Sequence, residues 1–269
     1  MTKIDIVMQG PFFDALVNNA KRFVDLEFVN KVIISTWEDV SIEDEIIHHR
    51  KVILLKSDYP KISGPTGTSL ALISSLKGIK KAESDVVLKI RSDYDLPVDS
   101  LLKLYNYYET HKNEETEKYL DGSKQFSKIF VTGISTIYPY HIQDHTYCGY
   151  KDDLIKIFDI PPEKTPPYGE NSLDNSPKMF NIENGRFRAP IHIGAHYFSK
   201  FYKEAKEHLE DWENFFCDDS PYKQEALDFY LPIKENIFKP FPRIKIYWEK
   251  YKQEYPYGWY GSMGEYYAD

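Results

Sequence analysis

Asp93-Tyr94-Asp95 follows directly on the run Leu88-Lys89-Ile90-Arg91. Two carboxylates one residue apart at a strand end offer hard oxygen ligands to a divalent cation and leave positions open for phosphate. A cation held there neutralises the charge that develops on a departing diphosphate. The same tripeptide also reads as an acidic turn, because Asp is favoured in turns. Lys89 and Arg91 alternate with Leu88 and Ile90 and therefore share one side of the strand. They serve either to pair with a nearby Asp or to position the acids and a phosphate.

Acid–base candidates lie further along. Deprotonating an acceptor hydroxyl requires a carboxylate within hydrogen-bond reach, and Asp144, Glu225 and Asp228 are the candidates. Glu225 and Asp228, spaced i,i+3, read equally as a solvated helix face. His141/His145 and His192/His196 share i,i+4 spacing, which on a helix brings two imidazoles to one metal. Neither pair carries the Glu of a His-Glu-x-x-His site, and Gly194 interrupts the second. The narrower expectation is that His192 or His196 completes a cation or phosphate site opposite Asp95. Gly64 to Ser69 (GPTGTS) lacks the Gly-Lys-Ser/Thr ending of a phosphate loop, so Thr68 or Ser69 is expected to cap a following helix. Its backbone N–H groups could then contact phosphate. No Gly-x-Ser-x-Gly elbow is present.

The elements that must position these residues alternate. Lys3 to Met8, Lys31 to Thr36, Lys51 to Leu55 and Asp85 to Arg91 are strand-length runs rich in β-branched residues. Between them, 13–23 and 68–79 carry apolar residues at helical spacing. This pattern predicts a mostly parallel, Rossmann-like sheet with helices on both faces. Ligands in such sheets sit beyond the carboxyl ends of the strands, which selects Gln9-Gly10-Pro11, Thr36-Trp37, Asp58 and the Arg91 to Asp95 segment. Further on, 101–108 reads as helix, 128–136 as strand, 161–190 as a long loop and 196–212 as helix. The aromatic tail, 247–267, reads as packing, as a sugar-stacking cleft or as an interfacial patch.

The stretch TSLALISSLKGIKKAESDVVLKIRSDYDL, the opening QGP, the ISTWE segment and PYHIQDHTYCGYKDDL together resemble the WavE lipopolysaccharide-synthesis family. The resemblance runs in order over roughly the first 160 residues, with Lys-x-Arg-x-Asp as its specific motif. Where that family has a Pro-Glu pair, this chain reads Pro190-Ile191-His192. The resemblance implies a GT-A-like glycosyltransferase, with a nucleotide-sugar donor over the parallel sheet and Mn²⁺ or Mg²⁺ on the diphosphate. It implies Asp93 and Asp95 as the metal and diphosphate site; His196 is the further metal ligand expected from the histidine spacing alone. Gln9, Gly10 and Pro11 would form the first donor loop, with Lys89 and Arg91 beside the diphosphate. Thr36, Trp37 and Asp58 would line the nucleoside pocket. Asp144, in the family-like segment, leads Glu225 and Asp228, either as the base or as a ligand to the acceptor hydroxyl.

Composition narrows the classes. The chain has 269 residues and a formal net charge of −8, with 42 Asp+Glu against 34 Lys+Arg, so a basic face for nucleic acid is not expected. No run approaches the roughly 20 apolar residues of a spanning helix. The opening MTKIDIVMQGPFF lacks the pattern of a secretory signal. With only Cys148 and Cys217, a reduced cytoplasmic protein is expected, with peripheral contact to the inner membrane an option. The expectation is a donor-binding core over 1–110, with acceptor elements over 111–269 in the same domain. The acceptor would be a bacterial polysaccharide, lipopolysaccharide or capsule precursor, free or lipid-linked. The rival readings are nucleotidyl transfer to a sugar phosphate and a non-catalytic carbohydrate-binding protein.

Overall fold

The computed structural model describes residues 1–63, 67–114, 116, 127–135, 138–162, 189–211, 223–242, 244, 246–249, 253–255 and 265–266. The first part runs β1 (Ile4–Gln9), α1 (Asp14–Phe23), β2 (Val29–Trp37), β3 (Val52–Ser57), α2 (Thr68–Lys81), β4 (Val86–Arg91), β5 (Tyr94–Asp95) and α3 (Val98–His111). Then come β6 (Ile129–Val131), β7 (Ile134–Ser135), β8 (Tyr147–Tyr150), α4 (Lys151–Phe158), α5 (Ala189–Ser199), α6 (Lys203–Glu210) and α7 (Lys223–Ile237). The chain closes with β9 (Phe238–Pro240), β10 (Ile246–Trp248), β11 (Gln253–Tyr255) and β12 (Glu265–Tyr266).

The main sheet has seven strands in the order β3-β2-β1-β4-β8-β6-β9. The four strands expected from sequence pair in parallel, and β9 runs parallel to β6. Only β8 is reversed, antiparallel to both β4 and β6. Strands from 129 onward thus complete a sheet begun by the first 91 residues. Local sequence does not pair these later strands, because their partners are remote and their runs are short.

Two buried layers cover the sheet, as expected for parallel strands. One holds Val7, Ile33 and Val87 under Leu72 and Ile79 of α2, Leu154 of α4, and Ile191 and Phe198 of α5. The other holds Ile6, Met8, Ile34, Leu88 and Ile90 under Leu16 and Phe23 of α1 and Leu101, Leu104 and Tyr108 of α3. Each such side chain contributes about 1.5–3 kcal/mol by leaving water. Helix α2 lies close on the sheet because of Gly78, where an added Cβ would run into Val7 Cγ1. At the amino end of the sheet, fully buried Asp5 accepts from the backbone N–H groups of Lys31, Glu83 and Ser84 and from the Ser84 hydroxyl. It welds β1 to its two neighbours.

Several expectations change. The 128–136 run divides into β6 and β7, separated by Thr132 and Gly133. The 196–212 helix divides into α5 and α6, broken at residues 200–202. Ala189 and Pro190 open α5 instead of ending a loop, Pro being compatible with a first helical turn; 163–188 lie outside the described residues. Neither Thr68 nor Ser69 caps α2. Both are inside the helix and fully buried, and Gly67 takes the cap position at φ +74°, a left-handed backbone that glycine adopts freely. His141 and His145 are not helical, so their spacing does not stack them on one helix face. Cys148 is a buried free thiol of β8, and Cys217 lies outside the described residues. Among the described residues, no helix is long and apolar enough to cross a membrane.

Candidate functional site

The carboxyl ends of β1, β2, β3 and β4 share one edge, and the reversal of β8 brings the residues preceding it to that same edge. Lys89 is in register with Tyr147, so Asp144 and His145 lie beside the end of β4. At the end of β1, Gly10 adopts φ +130°, and a Cβ there would meet Ser92 Oγ at 2.5 Å. The turn after β1 and the turn after β4 are therefore packed against each other, which requires glycine. Gln9 is buried and accepts a 2.8 Å hydrogen bond from Ser74 of α2, while its carbonyl accepts from Ser92 N–H at 2.9 Å. Pro11 is exposed.

Arg91 grips Asp93 at two points, Nε to Oδ1 at 2.9 Å and Nη2 to Oδ2 at 2.7 Å. Its third nitrogen lies 3.8 Å from Asp144 Oδ2. The guanidinium also faces the Tyr94 ring, 5.6 Å from its centroid. Burial alone would lower the Arg91 pKa, but the Asp93 hydrogen bonds and the charge of Asp144 hold it above its ordinary value. Asp144 is itself buried, which raises a carboxyl, yet His145, Arg91 and Lys89 keep it below the usual range. It stays ionised at neutral pH.

Lys89 is 1% exposed and donates to the Asp144 backbone carbonyl. Its ammonium stands 5.7 Å from the Tyr147 ring and 5.6 Å from the Phe158 ring. Loss of water outweighs the pull of Asp144, and the ammonium is pushed down to about 7. His145 sits edge-on to Tyr94 with centroids 5.3 Å apart, and burial lowers it to about 4. At neutral pH it is an uncharged ring at 3.6 Å from Asp144 Oδ1.

Asp95 does not join this cluster. The turn at Ser92 and Asp93 breaks the strand alternation, so Asp93 folds back to Arg91 while Asp95 pairs with Arg22 of α1. The two acids expected to chelate Mn²⁺ or Mg²⁺ together are each committed to a different arginine, on opposite sides of the sheet. That donor set does not fit one divalent cation shared between them. No group of three or more His, Cys, Asp or Glu suited to a metal occurs among the described residues.

The remaining expected residues separate. Thr36 is fully buried, and its hydroxyl has no hydrogen-bond partner among the described residues. Trp37 is 1% exposed and stacks at 4.8 Å on Tyr59, whose ring is half exposed beyond β3. Asp58 beside it is exposed. His196 is on α5, in the layer across the sheet from Arg22, with its ring 4.3 Å from that of His192. The His192 Nε2 instead bonds the Pro161 carbonyl at 2.9 Å. Glu225 and Asp228 are exposed on α7; Asp228 accepts from Gln224, and no hydrogen bond or ion pair joins either acid to Arg91, Asp93 or Asp144. Glu249, not singled out from sequence, caps α1 by accepting from Asp14 N–H at 3.1 Å and Ala15 N–H at 2.6 Å. Its own N–H donates to the Asp93 carbonyl at 3.0 Å. With cap and helix 235 positions apart in sequence, no local signal could have found it.

A mostly parallel α/β sheet with a charged cluster at its carboxyl edge defines the class: an α/β protein of Rossmann-like architecture. The model of the WavE lipopolysaccharide synthesis family matches residues 4–213, more than three quarters of the chain, and the protein belongs to that family. A comparison with curated protein sequences returns no match. Among solved structures, the chain is similar to 4-diphosphocytidyl-2C-methyl-D-erythritol synthase from Anaerococcus prevotii DSM 20548, at 14% identity over 59% of this chain and 75% of that one, TM-score 0.38. It is also similar to the Francisella tularensis 2-C-methyl-D-erythritol 4-phosphate cytidylyltransferase, at 14% identity, 59% and 77% coverage and TM-score 0.34. CMP:2-keto-3-deoxy-manno-octonic acid synthetase complexed with CTP gives 9% identity, 61% and 79% coverage and TM-score 0.34. The architecture rests on the strand order itself.

Proposed function

We propose that the protein is a glycosyltransferase that moves a sugar from a nucleotide-sugar donor to a lipopolysaccharide, capsule or other surface-polysaccharide precursor in the bacterial cytoplasm. The observation that supports it is the convergence of Lys89, Arg91, Asp93 and Asp144 at the carboxyl edge of the sheet, against the Gly10 turn. Family membership supplies the lipopolysaccharide context. In this reading the donor lies over Gln9 to Pro11, and Arg91, oriented by Asp93 and Asp144, faces the diphosphate. Asp144 receives the acceptor proton as the acceptor oxygen bonds the anomeric carbon and the sugar–phosphate bond breaks, releasing the nucleoside diphosphate. Because Asp93 and Asp95 do not converge, the proposed chemistry uses no metal held by that pair.

Incubation with a panel of nucleotide sugars, with and without acceptor glycans, tests the reading through release of nucleoside diphosphate. Asp144→Asn and Asp93→Asn are each expected to lower turnover at least about 100-fold, the scale of a lost acid–base or charge-positioning group. Intact binding and turnover in both variants would refute it. Release of pyrophosphate from a nucleoside triphosphate and a sugar phosphate would replace it with nucleotidyl transfer, and binding of glycans without turnover would replace it with a carbohydrate-binding role.

A further inference from the structure

Asp95 lies in a grip supplied by one face of α1. Asn19, fully buried, donates its amide to the Tyr94 carbonyl and accepts the Leu96 N–H at 3.0 Å, so one side chain closes on the backbone at both sides of Asp95. Arg22, one helical turn on, ion-pairs with Asp95 and also donates to Asn19 Oδ1 at 2.6 Å. Residues i and i+3 of a helix lie on the same face, and here that pair holds three consecutive residues, 94–96. On the other edge β5 pairs with β10, with Asp95 in register with Tyr247.

We infer that Asp95 is a latch holding the strand-end loop to α1 through Arg22, and that a divalent cation does not use it as a ligand. A cation at the remaining oxygen of Asp95 would stand against the like charge of Arg22, whose side chain is 34% exposed and whose Nε lacks a partner among the described residues. Removing its carboxylate would strand a half-buried guanidinium, which is unfavourable. The Asp-x-Asp pair thus divides its work, with Asp93 in the charged cluster and Asp95 fastening the loop that carries it. The inference does not depend on the transfer reaction, because its readouts are folding and Mn²⁺ binding, not turnover.

The test uses the full chain with Asp95→Asn, Arg22→Gln and the double variant, followed by thermal unfolding and titration with Mn²⁺ alone. Each single variant is expected to lower the Tm by about 2–4 °C, the scale on which a lost ion pair reads out in a protein of this size. The double variant should lose little more than the larger single, as coupled partners do. Binding of Mn²⁺ should be absent in wild type and Asp95→Asn or equal in the two. Additive or negligible Tm losses, or Mn²⁺ binding at least tenfold weaker in Asp95→Asn, would overturn the inference. A second measurement needs no variant. Diamagnetic Mg²⁺ is expected to leave the Asp95 and Leu96 amide shifts of the wild-type chain in place, and saturable shifts confined to those two overturn the latch.

Discussion

Arg91 and Asp93 form a two-point ion pair across a single intervening residue, with contacts of 2.9 and 2.7 Å, and the Asp93 side chain is only 4% exposed. A planar guanidinium matches a carboxylate in this geometry and an ammonium does not. Arg91→Lys is therefore expected to cost about 1–2 kcal/mol, and Arg91→Met, which removes both guanidinium contacts from buried Asp93, about 3 kcal/mol. Urea unfolding measures both. Equal stability of wild type and Arg91→Met would show that the pair is not effectively buried.

The turn after β1 should be intolerant of a side chain for two separable reasons. Gly10→Ala meets both the Ser92 hydroxyl and the positive φ, and is expected to lose about 2–3 kcal/mol. Adding Ser92→Gly removes the steric contact and leaves the backbone strain, so the double variant should recover only part of the loss. Full recovery would mean that φ +130° costs nothing here.

Lys89 makes stability depend on pH in the alkaline direction. Its folded pKa, about 7, is below its ordinary 10.5, so between these values the unfolded chain binds more protons. Stability contributed by this group is thus lowest below pH 7 and rises toward pH 10.5, with a limiting slope of about 1.4 kcal/mol per pH unit. The difference in unfolding free energy between wild type and Lys89→Met should therefore climb from pH 7 to pH 10. A flat difference across that window contradicts a buried, titrating Lys89.

His145 acts at the opposite end. Burial lowers it from 6.5 to about 4, so its contribution is present above pH 6.5 and is lost as the pH falls toward 4. His145→Gln, which cannot take the proton, is expected to flatten the acid limb between pH 6.5 and 4 in chemical-denaturation curves. An unchanged acid limb would place the His145 ring in water.

Glu249 ties the amino end of α1 to the turn carrying Asp93. Glu249→Ala removes the acceptor of two helix N–H groups and is expected to destabilise by about 1 kcal/mol. Amide exchange should quicken at Asp14 and Ala15 in that variant. Unaltered protection there would show that water replaces the carboxylate at no cost.

The sequence by itself determined the four parallel strands and the helices over them, because β-branched runs and helical apolar spacing are local and each run is long enough to show its period. It also predicted chemistry at the strand ends, and it singled out Arg91, Asp93 and Asp144. Tertiary structure decided which of these meet. The reversal of β8 delivers Asp144 to Arg91, a pairing across more than 50 residues for which composition and spacing carry no signal. The turn at Ser92 and Asp93 sends two acids of one tripeptide to different arginines, since facing depends on backbone path and not on separation in sequence. The same reason sets Glu225 and Asp228 in solvent and His196 in the layer across the sheet from Arg22, although their residue types suited the chemistry as well as Asp144 did.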